Sequence, residues 1–169
     1  MLHSLISTAI GWVGVTWSDR GVRRLNLPVQ NENEAMALLG IRDATDLFKG
    51  DEIDSLRRQV RDYFEGKRGG FDCKLDLSDS TPFQRRVWKA TREIPYGQVR
   101  SYKWVADKIG RPLACRAVGH ALADNPLPVI IPCHRVIRSD GKPGGFGGRA
   151  GNVQTKVTML SLEGYRFKH

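Results

Sequence analysis

Residues 81–126 read "TPFQRRVWKATREIPYGQVRSYKWVADKIGRPLACRAVGHALADNP". Thr81 is placed as an N-cap, Pro82 as the first helical residue, and Gln84 completes a capping box. Phe83, Val87 and Trp88 form an apolar stripe, and Pro95 ends the helix. Ser101 caps a second helix running to Ile109, with Tyr102, Val105 and Ala106 on its inner side. Gly110-Arg111-Pro112 breaks it. A third helix over about 113–123 is rich in small residues: Ala114, Cys115, Ala117, Gly119, Ala121 and Ala123. Two short helices about a tight Gly/Pro turn resemble a helix-turn-helix, a signal shared with many helical hairpins.

Downstream, Asn125-Pro126 leads into the apolar run Leu127–Ile131, which predicts a buried strand. The run closes on "IPCHRV", residues 131–136, where a thiol, an imidazole and a guanidinium follow a proline. A lone cysteine is more often a small hydrophobe than a nucleophile, and Cys73 and Cys115 are read that way. Cys133 has His134 beside it as a possible base, and cationic or hydrogen-bonding neighbours lower a thiol's pKa. Adjacent side chains on a strand point to opposite faces. Contact between the two therefore needs a turn after Pro132 or an intervening water. A carboxylate must also orient the imidazole. Spacing leaves Glu93, Asp107, Asp124, Asp140 and Glu163 all open.

The glycine-rich stretch "GKPGGFGGRAG", residues 141–151, has six glycines in eleven positions. It matches neither a dinucleotide fingerprint nor a P-loop and reads as a flexible loop. Asn152 is placed to cap a final helix ending near Glu163-Gly164. Upstream, residues 10–27 read as a hairpin: Val13, Val15 and Trp17 alternate and "SDRG" supplies the turn. A short helix is expected over 31–39. A stronger one is expected in "DSLRRQVRDYFEG", with Leu56, Val60, Tyr63 and Phe64 on one face and Gly66 as a C-cap. Residues 66–80 read as a connector containing a short strand, and the domain boundary falls near residue 78, giving domains 1–78 and 79–169.

The chain has 169 residues and a net charge of +9. Residues 1–80 hold 11 Lys/Arg against 13 Asp/Glu, a net of −2; the remainder holds 16 against 5, a net of +11. The excess on one half points to a polyanion, most often nucleic acid, or to a solvated basic surface. Three cysteines make no disulfide framework, and neither a secretory leader nor a membrane-spanning run is expected; the expected location is a reducing cytoplasm, or a nucleus where the cell has one. Three cysteines and four histidines show no paired ligand spacing, so no metal and no cofactor is expected.

"IPCHRV", with "RAVGHALADNP" and "SYKWVADKIGRP" upstream, resembles the O6-alkylguanine-DNA alkyltransferases (methylated-DNA–protein-cysteine methyltransferases). The likeness is continuous over residues 81–165 and looser before them, in the "GWVGV" hairpin and "DYFEGK". It implies an α/β N-terminal domain, a small antiparallel sheet plus helix. A mainly helical C-terminal domain with a winged-helix-like helix-turn-helix would follow. It also implies a single-turnover reaction. The protein would bind double-stranded DNA through the minor groove and flip out O6-alkylguanine, or O4-alkylthymine, from the stack. The alkyl group would then move to its own cysteine. It would act as a monomer, with scope for cooperativity on DNA, and away from membranes.

Carried onto this chain, the resemblance makes Cys133 the acceptor. His134 takes its proton through a water, and Glu163 orients His134. Arg135 is structural. Tyr102 donates to the flipped guanine, and Arg116 fills the gap in the stack. Ser101, Ala117 and Gly119 join Tyr102 and Arg116 at the DNA surface. Asn125 is a hinge, and Pro128, Val136, Phe146, Gly147 and Gly148 line the pocket. This chain departs from the family in its glycine loop, about three residues longer than in some relatives, and at three further places. Phe146-Gly147 stands where many members have Tyr-Ser, and Cys115 and His120 are larger than the Ala and Gly often found there. A transcription factor would account for the charge but not for Cys133-His134, and it predicts base-reading polar side chains where the third helix has mostly Ala and Gly.

Overall fold

A computed structural model describes residues 1–42, 50–67, 69–145 and 153–168. The chain divides into two compact units, Met1–Ser78 and Asp79–His169. In the first, β1 (Leu2–Thr8), β2 (Gly11–Ser18) and β3 (Gly21–Leu25) form an antiparallel sheet in that order. The expected hairpin is β2–β3, with Ser18 paired to Gly21 across Asp19-Arg20. Strand β1 was not expected, and it pairs with β2 along its whole length, from Leu2–Trp17 to Thr8–Gly11. The central strand is therefore buried on both faces: Val13, Val15 and Trp17 are in the core, and Thr16 is buried too.

Helices α1 (Glu32–Leu39) and α2 (Asp51–Phe64) complete this unit. Helix α2 starts a turn earlier than "DSLRRQ" suggests and buries Ile53, Leu56, Val60, Tyr63 and Phe64. Gly66 ends it in the left-handed region; its N–H donates to Tyr63 O and the Lys67 N–H to Asp62 O. The connector's strand reduces to a single bridge between Leu75 and Val22.

The second unit contains α3 (Pro82–Arg92), β4 (Arg100–Ser101), α4 (Tyr102–Lys108), α5 (Cys115–Ala123), β5 (Val136–Ile137) and α6 (Val153–Leu162). Thr81 and Gln84 close the capping box at α3, and Ser101 Oγ accepts from Trp104 N at α4. The Trp88 indole N–H donates to Ala121 O at 2.8 Å, tying α3 to α5. Among the described residues no helix is long and apolar enough to cross a membrane.

The buried strand expected at Leu127–Ile131 is not formed. The run folds back on itself: the Ile131 N–H donates to Leu127 O at 2.8 Å, and Val129 has φ +77°. Pro128 removes a donor inside the run, and Pro126 and Pro132 remove the donors that flank it. Asn125 supplies the missing partners, accepting from Leu127 N on Oδ1 at 2.9 Å and donating from Nδ2 to Ile131 O at 2.9 Å. A β-branched residue at positive φ is strained, and it lies four residues before Cys133. Pro132 then opens a 3-10 turn, Cys133–Arg135, that runs directly into β5. The opposed faces of a strand consequently do not separate Cys133 from His134. Strand β5 pairs in parallel with β4, Arg100 with Val136 and Ser101 with Ile137. Because β4 runs straight into α4, this pairing fixes Tyr102, the first residue of α4, relative to the turn.

Candidate active site

Cys133, His134 and Arg135 occupy successive positions of one buried turn. Glu163 arrives from the end of α6 and is also buried. Its carboxylate is enclosed by donors. Arg135 Nε lies 2.9 Å from Oε2 and Arg135 Nη2 3.0 Å from Oε1. The Gly97 N–H donates to Oε2 at 3.0 Å, and His134 Nε2 lies 2.6 Å from Oε1. Arg135 Nη1 donates to Ile94 O at 2.8 Å, which fixes the fork. Gly97 has φ +75°, and a Cβ there would stand 2.9 Å from Glu163 O, so only glycine brings its N–H to the carboxylate without strain.

These contacts set the protonation states. Burial alone raises the Glu163 carboxyl, but hydrogen bonds from His134 and Arg135 outweigh it and hold the pKa down to about 2. The carboxylate is an acceptor only, so His134 Nε2 carries the proton it donates. Burial, followed by the Arg135 and Lys156 charges, lowers the His134 pKa against the opposing pull of Glu163. The imidazole is therefore neutral, with Nδ1 as its basic nitrogen. Burial pushes the Cys133 thiol up, while the Asn125 amide and the Lys156 charge pull it down. Asn125 Nδ2 lies 3.2 Å from Cys133 Sγ, so the residue that closes the apolar turn also touches the thiol.

Cys133 opens on a cleft of about 920 Å³. Tyr102, Cys115, Arg116, Gly119, His120, Leu122, Gly144 and Gly145 are among its lining residues. Arg116 and Ala117 are exposed on α5, and Ser101 is half-buried at the α4 cap. The Tyr102 hydroxyl donates to Gly145 O at 3.4 Å, and burial, then the neighbouring thiol, raises its pKa. Gly144, with φ +74°, lies against Tyr102: a Cβ there would be 3.0 Å from the hydroxyl. Pro128 and Val136 are not among the described lining of this cleft, and Phe146, Gly147, Gly148 and Asn152 lie outside the described residues.

Lys156 escaped the reading of the sequence. It is fully buried on α6, and its Nζ donates to Val136 O at 2.5 Å and to Gly145 O at 3.2 Å. It stands 5.7 Å from the centre of the Tyr102 ring. Burial pulls its pKa down to about 8. The signal was present: Lys156, Met159, Leu160 and Glu163 fall at i, i+3, i+4 and i+7, so the lysine shares the inward stripe. Arg135 was read as structural, and it is the principal cation on Glu163. Among the described residues no group of three or more His, Cys, Asp or Glu is placed to hold a metal ion.

The model of the 6-O-methylguanine DNA methyltransferase DNA-binding domain matches residues 82–165. A methylated-DNA–protein-cysteine methyltransferase from Methanosarcina barkeri is 52% identical over 163 residues, covering 96% of this chain and 97% of that protein. The one from Mycobacterium bovis is 50% identical over 105 residues, 62% of this chain and 61% of that protein. The crystal structure of Mycobacterium tuberculosis OGT in complex with DNA has a TM-score of 0.77 at 36% identity, covering 96% of this chain and 92% of that one. With near full-length identity of this order, the chain belongs to the methylated-DNA–protein-cysteine methyltransferase family.

Proposed function

We propose that this protein repairs DNA by moving the alkyl group of O6-alkylguanine, and of O4-alkylthymine, onto Cys133, once per molecule. The observation that carries the reading is the thiol itself, 5% exposed, at a cleft bordered by α5 and Tyr102 and adjoining the His134–Glu163–Arg135 cluster. A base stacked in a duplex does not reach such a thiol, so the nucleotide must leave the stack. In this reading α4 and α5 form a winged-helix-like helix-turn-helix. Helix α5 lies in the minor groove, Arg116 fills the vacated stack, and Ser101, Ala117 and Gly119 lie against the backbone. The DNA-bound relative and the positive second half support DNA as the partner. The protein acts as a monomer in the cytoplasm.

The chemistry follows from the protonation states. His134 Nδ1 takes the thiol proton through a water, and Glu163 fixes the tautomer that makes Nδ1 basic. The thiolate attacks the alkyl carbon, an S–C bond forms, and the C–O bond breaks with its electron pair going to the base. Tyr102 hydrogen-bonds to the departing purine and stabilises its charge. Asn125 couples the thiol to α5 as the hinge, while Pro128, Val136, Phe146, Gly147 and Gly148 shape the base pocket. The thioether product has no leaving group, so the protein is consumed. Incubation with a large excess of duplex containing O6-methylguanine tests this: methyl transfer is expected to stop at one per protein, and continued turnover overturns the reading.

A further inference from the structure

The first unit has a separate cleft of about 560 Å³ that the transfer chemistry does not use. It is lined by Trp12, Glu32, Asp54, Arg57, Arg58 and Arg61, among others. Positions 54, 57, 58 and 61 share one stripe of α2, beside the face that buries Ile53, Leu56 and Val60. Two of the guanidiniums are anchored by their Nε atoms to β1. Arg57 Nε donates to Ser4 Oγ at 2.9 Å and Arg61 Nε to Ser7 O at 3.2 Å. Arg57 Nη1 is taken by Asp54 at 3.0 Å. Among the described residues, the terminal nitrogens of Arg61 and the whole guanidinium of Arg58 have no hydrogen-bond or ion-pair partner.

A guanidinium held at Nε keeps its terminal N–H fork for a ligand and has already lost much of its side-chain entropy. That is the arrangement that takes a phosphate bidentately. The cations also stand out locally, because residues 1–80 carry a net charge of −2. Trp12 adds a half-buried aromatic side chain whose backbone is pinned in both directions to Val29, at 2.7 and 3.0 Å. Stacking on such a ring favours any nucleobase. Glu32 opposes a bare anion but accepts the amino hydrogens of a base.

We propose that this cleft binds one nucleotide of a single nucleic-acid strand. The phosphate sits on Arg58 and Arg61, the base against Trp12, and its amino group on Glu32. The test is an NMR titration of the full chain with inorganic phosphate, with deoxyguanosine 5′-monophosphate, and with a mixed-sequence single-stranded tetranucleotide. The Trp12 indole N–H and the Arg58 and Arg61 Nε–H signals report the site. The tetranucleotide is expected to shift all three and to bind at least tenfold more tightly than inorganic phosphate. The doubly substituted Arg58→Gln/Arg61→Gln protein is expected to lose at least tenfold of that affinity, with its fold retained and its reaction with free O6-benzylguanine unchanged. Glu32→Gln leaves phosphate binding intact and weakens the tetranucleotide. Three outcomes overturn the proposal: shifts confined to the second unit, inorganic phosphate binding as tightly as deoxyguanosine 5′-monophosphate or the tetranucleotide, or full affinity in the double variant.

Discussion

Replacing Glu163 with Gln removes one charge and almost no volume, and it should be among the most damaging isosteric changes in the second unit. The carboxylate receives Arg135 at 2.9 and 3.0 Å, the Gly97 N–H at 3.0 Å and His134 at 2.6 Å. An amide cannot neutralise Arg135, and its NH2 faces the Arg135 donors. Removing one partner of a buried pair typically costs about 3–5 kcal/mol. Linkage gives a similar figure. The interval between the ordinary 4.5 and about 2, at about 1.36 kcal/mol per pH unit, corresponds to about 3 kcal/mol at neutral pH.

The sign is fixed by the depressed pKa. The stabilisation is fully present above about 4.5 and is lost as pH falls through about 2. For a chain of this length each kcal/mol moves Tm by about 2–4 °C, so Glu163→Gln should melt about 6–12 °C lower at pH 7. The difference from the unsubstituted protein should hold down to about pH 4.5 and then close. Asp76, whose carboxyl is also held low by Ser18, Ser78 and Arg23, is common to both proteins and cancels in the comparison. Alkyl transfer should slow by about 10²-fold, since His134 loses the group that fixes its tautomer. Paired thermal melts from pH 2 to 7 decide the matter. A variant within about 2 °C of the parent across that range refutes the assignment of Glu163 as a buried, charge-bearing anchor.

Arg116→Ala should slow repair in duplex DNA far more than reaction with free O6-benzylguanine, which needs no extrusion; equal losses on both substrates would assign Arg116 another role. Lys156→Met keeps the packing but removes the cation that lowers the Cys133 thiol, so the pH profile of iodoacetamide labelling at Cys133 should move to higher pH, and an unmoved profile contradicts that coupling. Alkylated protein should melt below the free protein, the benzyl adduct more so than the methyl. The group stays on a buried thiol beside Asn125, where overpacking costs roughly 1–3 kcal/mol, and three coincident melting curves would show slack around the thiol.

Local rules were legible at α3 and α4, where a side chain acts on its own backbone neighbours. Thr81, Gln84 and Ser101 announced their helices because capping is settled within four residues. The inward stripe of α2 was equally plain. The apolar run Leu127–Ile131 misled because hydrophobicity reports burial and not conformation. The turn is decided by three prolines and by Asn125, whose bonds reach forward to Leu127 and Ile131. Strand β1 was missed because the strand it pairs with covers what its own pattern leaves unsaid. Within the site, Cys133 and His134 stood out by adjacency. Glu163 did not, since its separation of 29 positions from His134 is bridged only in three dimensions. Lys156 is the instructive omission: a lysine on an apolar stripe is a buried cation in need of acceptors, and the two carbonyls that hold it, Val136 and Gly145, come from elsewhere in the chain.

Cys115 lines the same cleft as Cys133, so the chain carries its own control for the identity of the acceptor thiol. Peptide mapping by mass spectrometry, after reaction with duplex containing O6-methylguanine, locates the transferred methyl. The added mass is expected on the peptide bearing Cys133 alone, with no transfer to a Cys133→Ser protein that still binds DNA. A methyl group on Cys115 or Cys73, or transfer that survives Cys133→Ser, would contradict it.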